Sequence, residues 1–470
     1  MLVSRIMSFY RGDRGCLAHE EHEANQMRAA PRRAIIILLW LVAAAVSAES
    51  AAKFDELLDE LRPFEGRPVS AIELDGNRVT RPYIIYRELE TAVGQPLRLT
   101  ALLADLQRLH NLDIFSSVRL RARVDGDAVA LTIQMREIPY AIPYISYDVT
   151  DQDGWSFGPA LKSVNMMGRD VFVAGYALFG GTTTYLLDFT APWIAANHLS
   201  VELDLNRIER DNVLDEFGET AFEFTPRVGS YIGNAGRASL LFSYMQIESD
   251  EPGHTLSLSN RDQLVRLGGS LGFDTRDSWG DPHRGWLNEI ELIRTGGPLQ
   301  GEGDFWTSHL DLRRFQPLGN QTVAVAGLLS LQSGKGGSTL PEYEDYHLGG
   351  SNSIRGYRVG ELGRSLHGRN QLLLTAEYRG QLIPSREYVI LGLAGDLGLS
   401  WALFADSGIA WNEAEEFDGS RFKTGVGLGL RVLMPAVDMT RLDIGVGEEG
   451  DLVFHFAVFS KMSAQRFRRR

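Results

Sequence analysis

From Tyr140 to the C-terminus the chain repeats one pattern: segments of about ten residues in which apolar and polar positions alternate, broken by Gly, Asn, Asp and Pro. The run Leu199-Ser200-Val201-Glu202-Leu203-Asp204-Leu205-Asn206 puts its apolar side chains on one face of an extended strand and its polar ones on the other. Trp306, Ser308, Leu310 and Leu312, set against Phe305, Thr307, His309 and Asp311, form a second such strand. A soluble sandwich alternates in the same way, so length decides. Residues 140–470 hold roughly 16 strands at about 20 residues per strand and connection, which suits a barrel facing lipid outside and a wet lumen inside. So many strands in one soluble sandwich would be unusual.

Residues 67–138 follow another rhythm, a β-α-α-β-β unit. Val69, Ile72 and Leu74 lead into the turn Asp75-Gly76-Asn77, Pro82 opens a helix containing Ile84, Ile85 and Leu89, and Leu102, Leu103, Leu106 and Leu109 mark a second helix. Val118 to Val124 then alternates, Asp125-Gly126 turns, and Val129, Leu131 and Ile133 return as a hairpin. The predicted class is therefore mainly β: a transmembrane antiparallel β-barrel preceded by one small α+β domain.

The N-terminus adds export. Arg32 and Arg33 precede the apolar run Ala34 to Val46, and Val46-Ser47-Ala48 offers small residues at the spacing a signal peptidase reads. Residues 1–48 are thus expected to be an upstream extension and signal peptide, with Met27 as the true start, and residues 49–66 a short amphipathic linker carrying Phe54, Leu57, Leu58 and Leu61. The sole cysteine, Cys16, precedes Met27, so disulfides and Cys-ligated metals are not expected in the exported chain. A net charge of -14 argues against a nucleic-acid partner, which needs clustered Lys and Arg. The basic cluster at Arg466 and Arg468-Arg469-Arg470 reads as a solvated tail. Trp155, Trp193, Trp279, Trp286, Trp306, Trp401 and Trp411 fall near predicted strand ends, as in the aromatic girdles of membrane barrels or, more plainly, as ordinary core aromatics.

Several motifs carry a family resemblance. Ile72-Glu73-Leu74-Asp75-Gly76-Asn77-Arg78-Val79-Thr80, Arg87-Glu88-Leu89, Gly94-Gln95-Pro96-Leu97 and Ile133-Gln134-Met135-Arg136-Glu137 make residues 67–138 resemble a POTRA domain, the periplasmic module before barrels of the BamA superfamily. Leu348-Gly349-Gly350-Ser351-Asn352-Ser353-Ile354-Arg355-Gly356-Tyr357 is similar to the signature of that superfamily's inward-folding loop. The resemblance implies that Ile354, Arg355, Gly356 and Tyr357 descend into the lumen. It also implies that Arg355 is braced by Asp406, in Phe404-Ala405-Asp406-Ser407-Gly408, and by Glu377, in Ala376-Glu377-Tyr378-Arg379. A guanidinium that loses hydration there is best compensated by a bidentate carboxylate; the plainer alternative is two lumen carboxylates unrelated to Arg355. Phe273-Asp274-Thr275-Arg276-Asp277, with Pro282 and Gly285, and Ala191-Pro192-Trp193 add looser matches. Leu452 to Phe459 resembles the terminal barrel-closing strand, with Phe454, Phe456 and Phe459 on it; either Phe459 closes the barrel or the strand runs on to Phe467.

Apparent catalytic motifs carry less. Gly268-Gly269-Ser270-Leu271-Gly272 matches a nucleophile elbow in letters, but lies within an alternating strand with no helix after it. His19-Glu20-Glu21-His22 lacks the spacer of a zinc-binding helix, and no phosphate loop or dinucleotide fingerprint occurs. No enzyme activity, cofactor or metal is expected. The resemblance implies instead an assembly factor that templates client strands at the seam between its first and last strands, with outer-membrane lipids, unfolded outer-membrane or secreted clients, and periplasmic chaperones or accessory proteins at the POTRA domain as partners. The alternatives are a two-partner-type secretion pore and a passive porin.

Overall fold

The computed structural model describes residues 61–112, 114–150, 154–195, 198–212, 217–233, 235–277, 281–358, 367–390, 393–434 and 437–458. The expected signal peptide, Cys16, most of the linker, Trp279, Phe459 and the basic tail lie outside them.

The first domain contains strand β1 (Val69–Asp75), helices α1 (Pro82–Tyr86) and α2 (Leu99–Asn111), and strands β2 (Phe115–Asp125) and β3 (Ala128–Glu137). Its sheet runs β1-β3-β2, with β1 parallel and β2 antiparallel to β3. Pro82 occupies the first turn of α1, where its missing N–H costs nothing. Apolar residues spaced along α2, Leu102 and Leu109, meet Val69, Leu131 and Ile133 of the sheet in one core, which Leu61 of the expected linker also joins.

Sixteen antiparallel strands form the second domain. They begin with β4 (Ile142–Thr150), β5 (Gly154–Ser163), β6 (Phe172–Gly180), β7 (Thr183–Ala195), β8 (Leu199–Asn212), β9 (Phe217–Ile232), β10 (Gly236–Ser249) and β11 (Arg261–Asp274). β12 (Gly285–Gly296), β13 (Asp304–Leu318) and β14 (Gln321–Gln332) follow. A long connection carrying the two-residue strands β15 (Tyr346–His347) and β16 (His367–Gly368) leads to β17 (Asn370–Ile390), β18 (Leu393–Trp411), β19 (Lys423–Met434), β20 (Val437–Val446) and β21 (Leu452–Val458).

The barrel is apolar outside and polar inside. On β13, Phe305, Thr307, His309 and Asp311 point to the buried side, while Trp306 and Leu312 are exposed. β12 repeats this, with Glu291 and Thr295 inward and Ile290 and Leu292 outward. Exposed apolar residues on one parity and buried charges on the other are what lipid requires of a barrel wall. Ser270, of the elbow-like motif, lies within β11 and shares a hydrogen bond of 2.8 Å with Ser239 Oγ. Two tryptophans depart from the interface pattern: Trp401 sits in mid-strand opposite Gly380, and Trp411 is buried beneath the long connection. Strand length also departs from the ten-residue expectation, since β17 and β18 run for 21 and 19 residues. Register shifts between Gln381 and Arg386 adjoin Pro384, which has no N–H to give the ladder.

The first domain meets the barrel at the β5–β6 connection and the end of β7. Asn165 Nδ2 donates to Thr80 Oγ1 at 2.8 Å, Arg81 N–H to Gly168 O at 3.0 Å, and Arg87 Nη2 to Asp170 Oδ2 at 3.0 Å. The Arg87 guanidinium also lies 4.6 Å from the centre of the Trp193 ring. Antiparallel alternation puts these connections at one end of the barrel and the origin of the β14–β17 connection at the other.

If Ile290 faces hydrocarbon, Ile290→Arg is expected to lower the stability of the vesicle-inserted barrel by roughly 2–4 kcal/mol in a guanidinium titration. A loss under about 1 kcal/mol would put this face outside the bilayer core.

Candidate functional site: the arginine-tipped lumen loop

The β14–β17 connection turns back into the barrel. Its root is held across the lumen by β11, where Arg266 Nη2 meets Glu344 Oε1 at 2.6 Å and Tyr343 Oη donates to Asp262 Oδ2 at 2.9 Å. Ile354 and Tyr357 near its tip pack with Leu348, Ile409, Ala410 and Trp411.

Arg355 lies between them, 2% exposed. Its Nε and backbone N–H donate to Asp406 Oδ2 at 2.6 and 3.1 Å, and its Nη2 donates to Asp406 Oδ1 at 2.9 Å. This is a bidentate pair, the geometry that best replaces lost water around a guanidinium. Nη1 reaches Glu377 Oε1 at 2.7 Å and Asp443 Oδ2 at 3.3 Å. The guanidinium also stacks 3.6 Å from the centre of the Phe404 ring. The structure thus brings Arg355, Asp406 and Glu377 together, and adds Asp443 to them.

Further residues extend the network. Arg431 bridges Glu377 Oε1 at 3.2 Å and Asp443 Oδ1 at 2.5 Å, and Arg379 Nε meets Glu377 Oε2 at 2.7 Å. Gly356 N–H donates to His455 Nε2 at 3.0 Å, so the last strand holds the tip as well. Tyr357 Oη donates to Thr424 O at 3.2 Å and accepts from Glu448 N–H at 2.8 Å. Arg441 Nη2 donates to Ser351 O at 2.6 Å. Contacts from β17 to β21 therefore converge on one turn of chain. Phe454 and Phe456, on the opposite parity from His455, lie outside this network, Phe454 being 70% exposed.

Glycine makes the approach possible. Gly356 has φ +103°, and a Cβ there would lie 2.7 Å from Val446 C. On the wall, a Cβ at Gly425 would stand 1.8 Å from Arg355 O, and one at Gly445 2.5 Å from Gly356 N. β19 and β20 therefore lack side chains where the backbone of the tip rests.

Asp443, Arg431, Arg441 and His455 were not singled out in the sequence. Each sits at lumen parity in an alternating strand, as do many other polar residues, and only the strand stagger selects which of them meet Arg355.

The family model described as "Omp85 superfamily domain" matches residues 165–459, more than half of the chain, and the POTRA model, described as "Surface antigen variable number repeat", matches residues 68–137. The chain is 25% identical over 393 residues to the outer membrane protein assembly factor BamA of Nitratidesulfovibrio vulgaris, covering 79% of this chain and 47% of that protein. It is 22% identical over 402 residues to BamA of Neisseria meningitidis serogroup B, covering 76% and 48%. It thus spans about half the length of these curated relatives. Among solved structures, BamA from Haemophilus ducreyi lacking POTRA domains 1-3 aligns with a TM-score of 0.53 at 15% identity, covering 84% of this chain and 83% of that one. CdiB from Escherichia coli aligns at 0.54 and 13% identity, covering 84% and 75%. At these identities the structural likeness bears on the fold alone.

Removing the guanidinium leaves buried carboxylates unpaired, so Arg355→Ala is expected to cost about 3–5 kcal/mol in a guanidinium titration. Protease cleavage should appear between Leu348 and Tyr357. An unchanged midpoint with a protected loop would contradict the assigned contacts.

Proposed function

Because this chain belongs to the Omp85 superfamily, we propose that it assists the insertion of client proteins into the outer membrane by templating their strands at the seam between β4 and β21. It is an outer-membrane barrel with its POTRA domain in the periplasm. The seam reading rests on one observation. The hydrogen-bonded ladder runs without a break from β4 to β21 the long way round, and among the described residues no paired register joins β21 back to β4. Across that line Phe456 of β21 lies 5.8 Å from Tyr147 of β4 and 5.4 Å from Trp155 of β5, centre to centre.

Rings in contact hold two edges without satisfying their backbone groups. Edge N–H and C=O groups that lack partners are a template for an incoming strand, and in lipid that strand gains by having its own backbone satisfied. The loop tip grips β17 to β21 as one block and thereby confines opening to that line. In this reading clients are unfolded outer-membrane or secreted chains, and the POTRA domain receives them or docks a periplasmic accessory protein. No bond is made or broken. Strand exchange at the seam needs only hydrogen bonds to be traded.

Two outcomes test this. With Cys16→Ser as background, tethering Tyr147→Cys to Phe456→Cys by a short thiol crosslinker is expected to block client insertion into vesicles, and cleaving the tether to restore it; full activity in the tethered form would sink the seam reading. Arg355→Ala is expected to insert as a barrel yet lose client insertion by about tenfold or more, and wild-type rates would separate the loop from the activity.

A further inference from the structure

At the joint between the POTRA domain and the barrel, large apolar side chains and arginines stand exposed together. Val79, between β1 and α1, and Tyr83, in α1, lie on one side of the joint, and Met167, in the β5–β6 connection, on the other. The two sides are joined by the hydrogen bonds from Asn165 to Thr80 and from Arg81 to Gly168, so the three residues share one neighbourhood. Met167 has φ +57°, a left-handed conformation that a bulky residue seldom adopts, and it is 68% exposed. Such strain persists only where the surroundings hold it, and here it accompanies an exposed side chain rather than a buried one.

Each of these apolar residues has an exposed arginine within two positions of it: Arg78, Arg81 and Arg169. None of the three guanidiniums has a partner among the described residues. The neighbouring carboxylates are engaged elsewhere. Asp170 and Glu88 pair with Arg87 at 3.0 and 3.3 Å, and Glu137 accepts the backbone N–H groups of Val79 and Thr80 at 2.9 and 2.6 Å. This surface is therefore basic, on a chain whose net charge is -14.

We infer that it binds the anionic phospholipids of the periplasmic leaflet of the outer membrane. The β5–β6 connection lies at the periplasmic end of the wall, and Leu161, near the end of β5, still faces outward there, so the lipid-facing side of the wall leads toward Met167. Hydrocarbon ends at that rim and headgroup phosphates begin. A guanidinium meets phosphate oxygens two at a time, while Val79, Tyr83 and Met167 suit the boundary between headgroups and acyl chains. Apolar side chains among unpaired arginines are the composition of a surface that lies in the membrane interface. The inference depends on the outer-membrane placement of the barrel and not on events at the seam. Its consequence is that the leaflet holds the POTRA domain through the same turn of chain that docks it on the barrel.

The test uses the full chain in nanodiscs of phosphatidylcholine and phosphatidylglycerol. With Cys16→Ser as background, a fluorophore on Met167→Cys is read against a trace of either lipid carrying a nitroxide high on its acyl chain. Phosphatidylglycerol is expected to quench about threefold more strongly than phosphatidylcholine at low salt, and high salt to bring the two together. The chain bearing Arg78→Gln, Arg81→Gln and Arg169→Gln, all at exposed positions, should keep its fold by circular dichroism and be quenched equally by both lipids. Equal quenching in the native chain, or a preference that outlives the three substitutions, would overturn the inference. So would a fluorophore that neither lipid quenches, which would place the surface in water and open it to a periplasmic protein. Loss of the preference to inorganic phosphate, at an ionic strength where chloride leaves it intact, would make this a site for the free ion and overturn it as well.

Discussion

A guanidinium taken out of water has to find its hydration again in protein, and at Arg355 three strands supply it. Asp406 comes from β18, Glu377 from β17 and Asp443 from β20, all within 3.3 Å of one side chain that is 2% exposed. Such a cluster is weak evidence for net stability, because the desolvation of each ion offsets much of the attraction. Its consequence is geometric. Leaving any member unpaired is costly, so the strands that carry the carboxylates and the loop that carries the arginine hold one relative position. His455 on β21 extends that constraint to the last strand through the backbone of Gly356.

An asymmetry follows around the barrel. From β17 to β21 the wall is tied internally to the loop, and β11 anchors the loop's root. Next to β21, among the described residues no hydrogen-bonded register reaches the first strand, and Phe456 lies against Tyr147. In the proposed function, that line is where backbone groups are exposed to template a client strand in lipid.

Much of this was legible in the sequence, for reasons that also mark the limits. Period-two alternation is a local property, so the wall and its two faces could be read from runs such as 305–312, and turn chemistry outlined the β-α-α-β-β domain. Arg355, Asp406 and Glu377 stood in motifs distinctive enough to name. Asp443, Arg431 and His455 did not, because alternation tells which residues face the lumen and says nothing of which ones meet across it; that depends on tilt and stagger around the whole sheet. For the same reason Trp411 read as an interface aromatic, although the returning loop buries it, and the grip of Asp262 and Arg266 on Tyr343 and Glu344 left no local mark.

Amide hydrogen exchange across the vesicle-inserted chain tests the central claim most directly. The account predicts fast exchange in β4 and β21 and slow exchange in β9 to β13 and β17 to β20 of the native chain. With Arg355→Ala, fast exchange should spread into β18 to β20 while β9 to β13 stay protected. Protection at the seam equal to that of the rest of the wall, or an Arg355→Ala pattern indistinguishable from the native one, would contradict it.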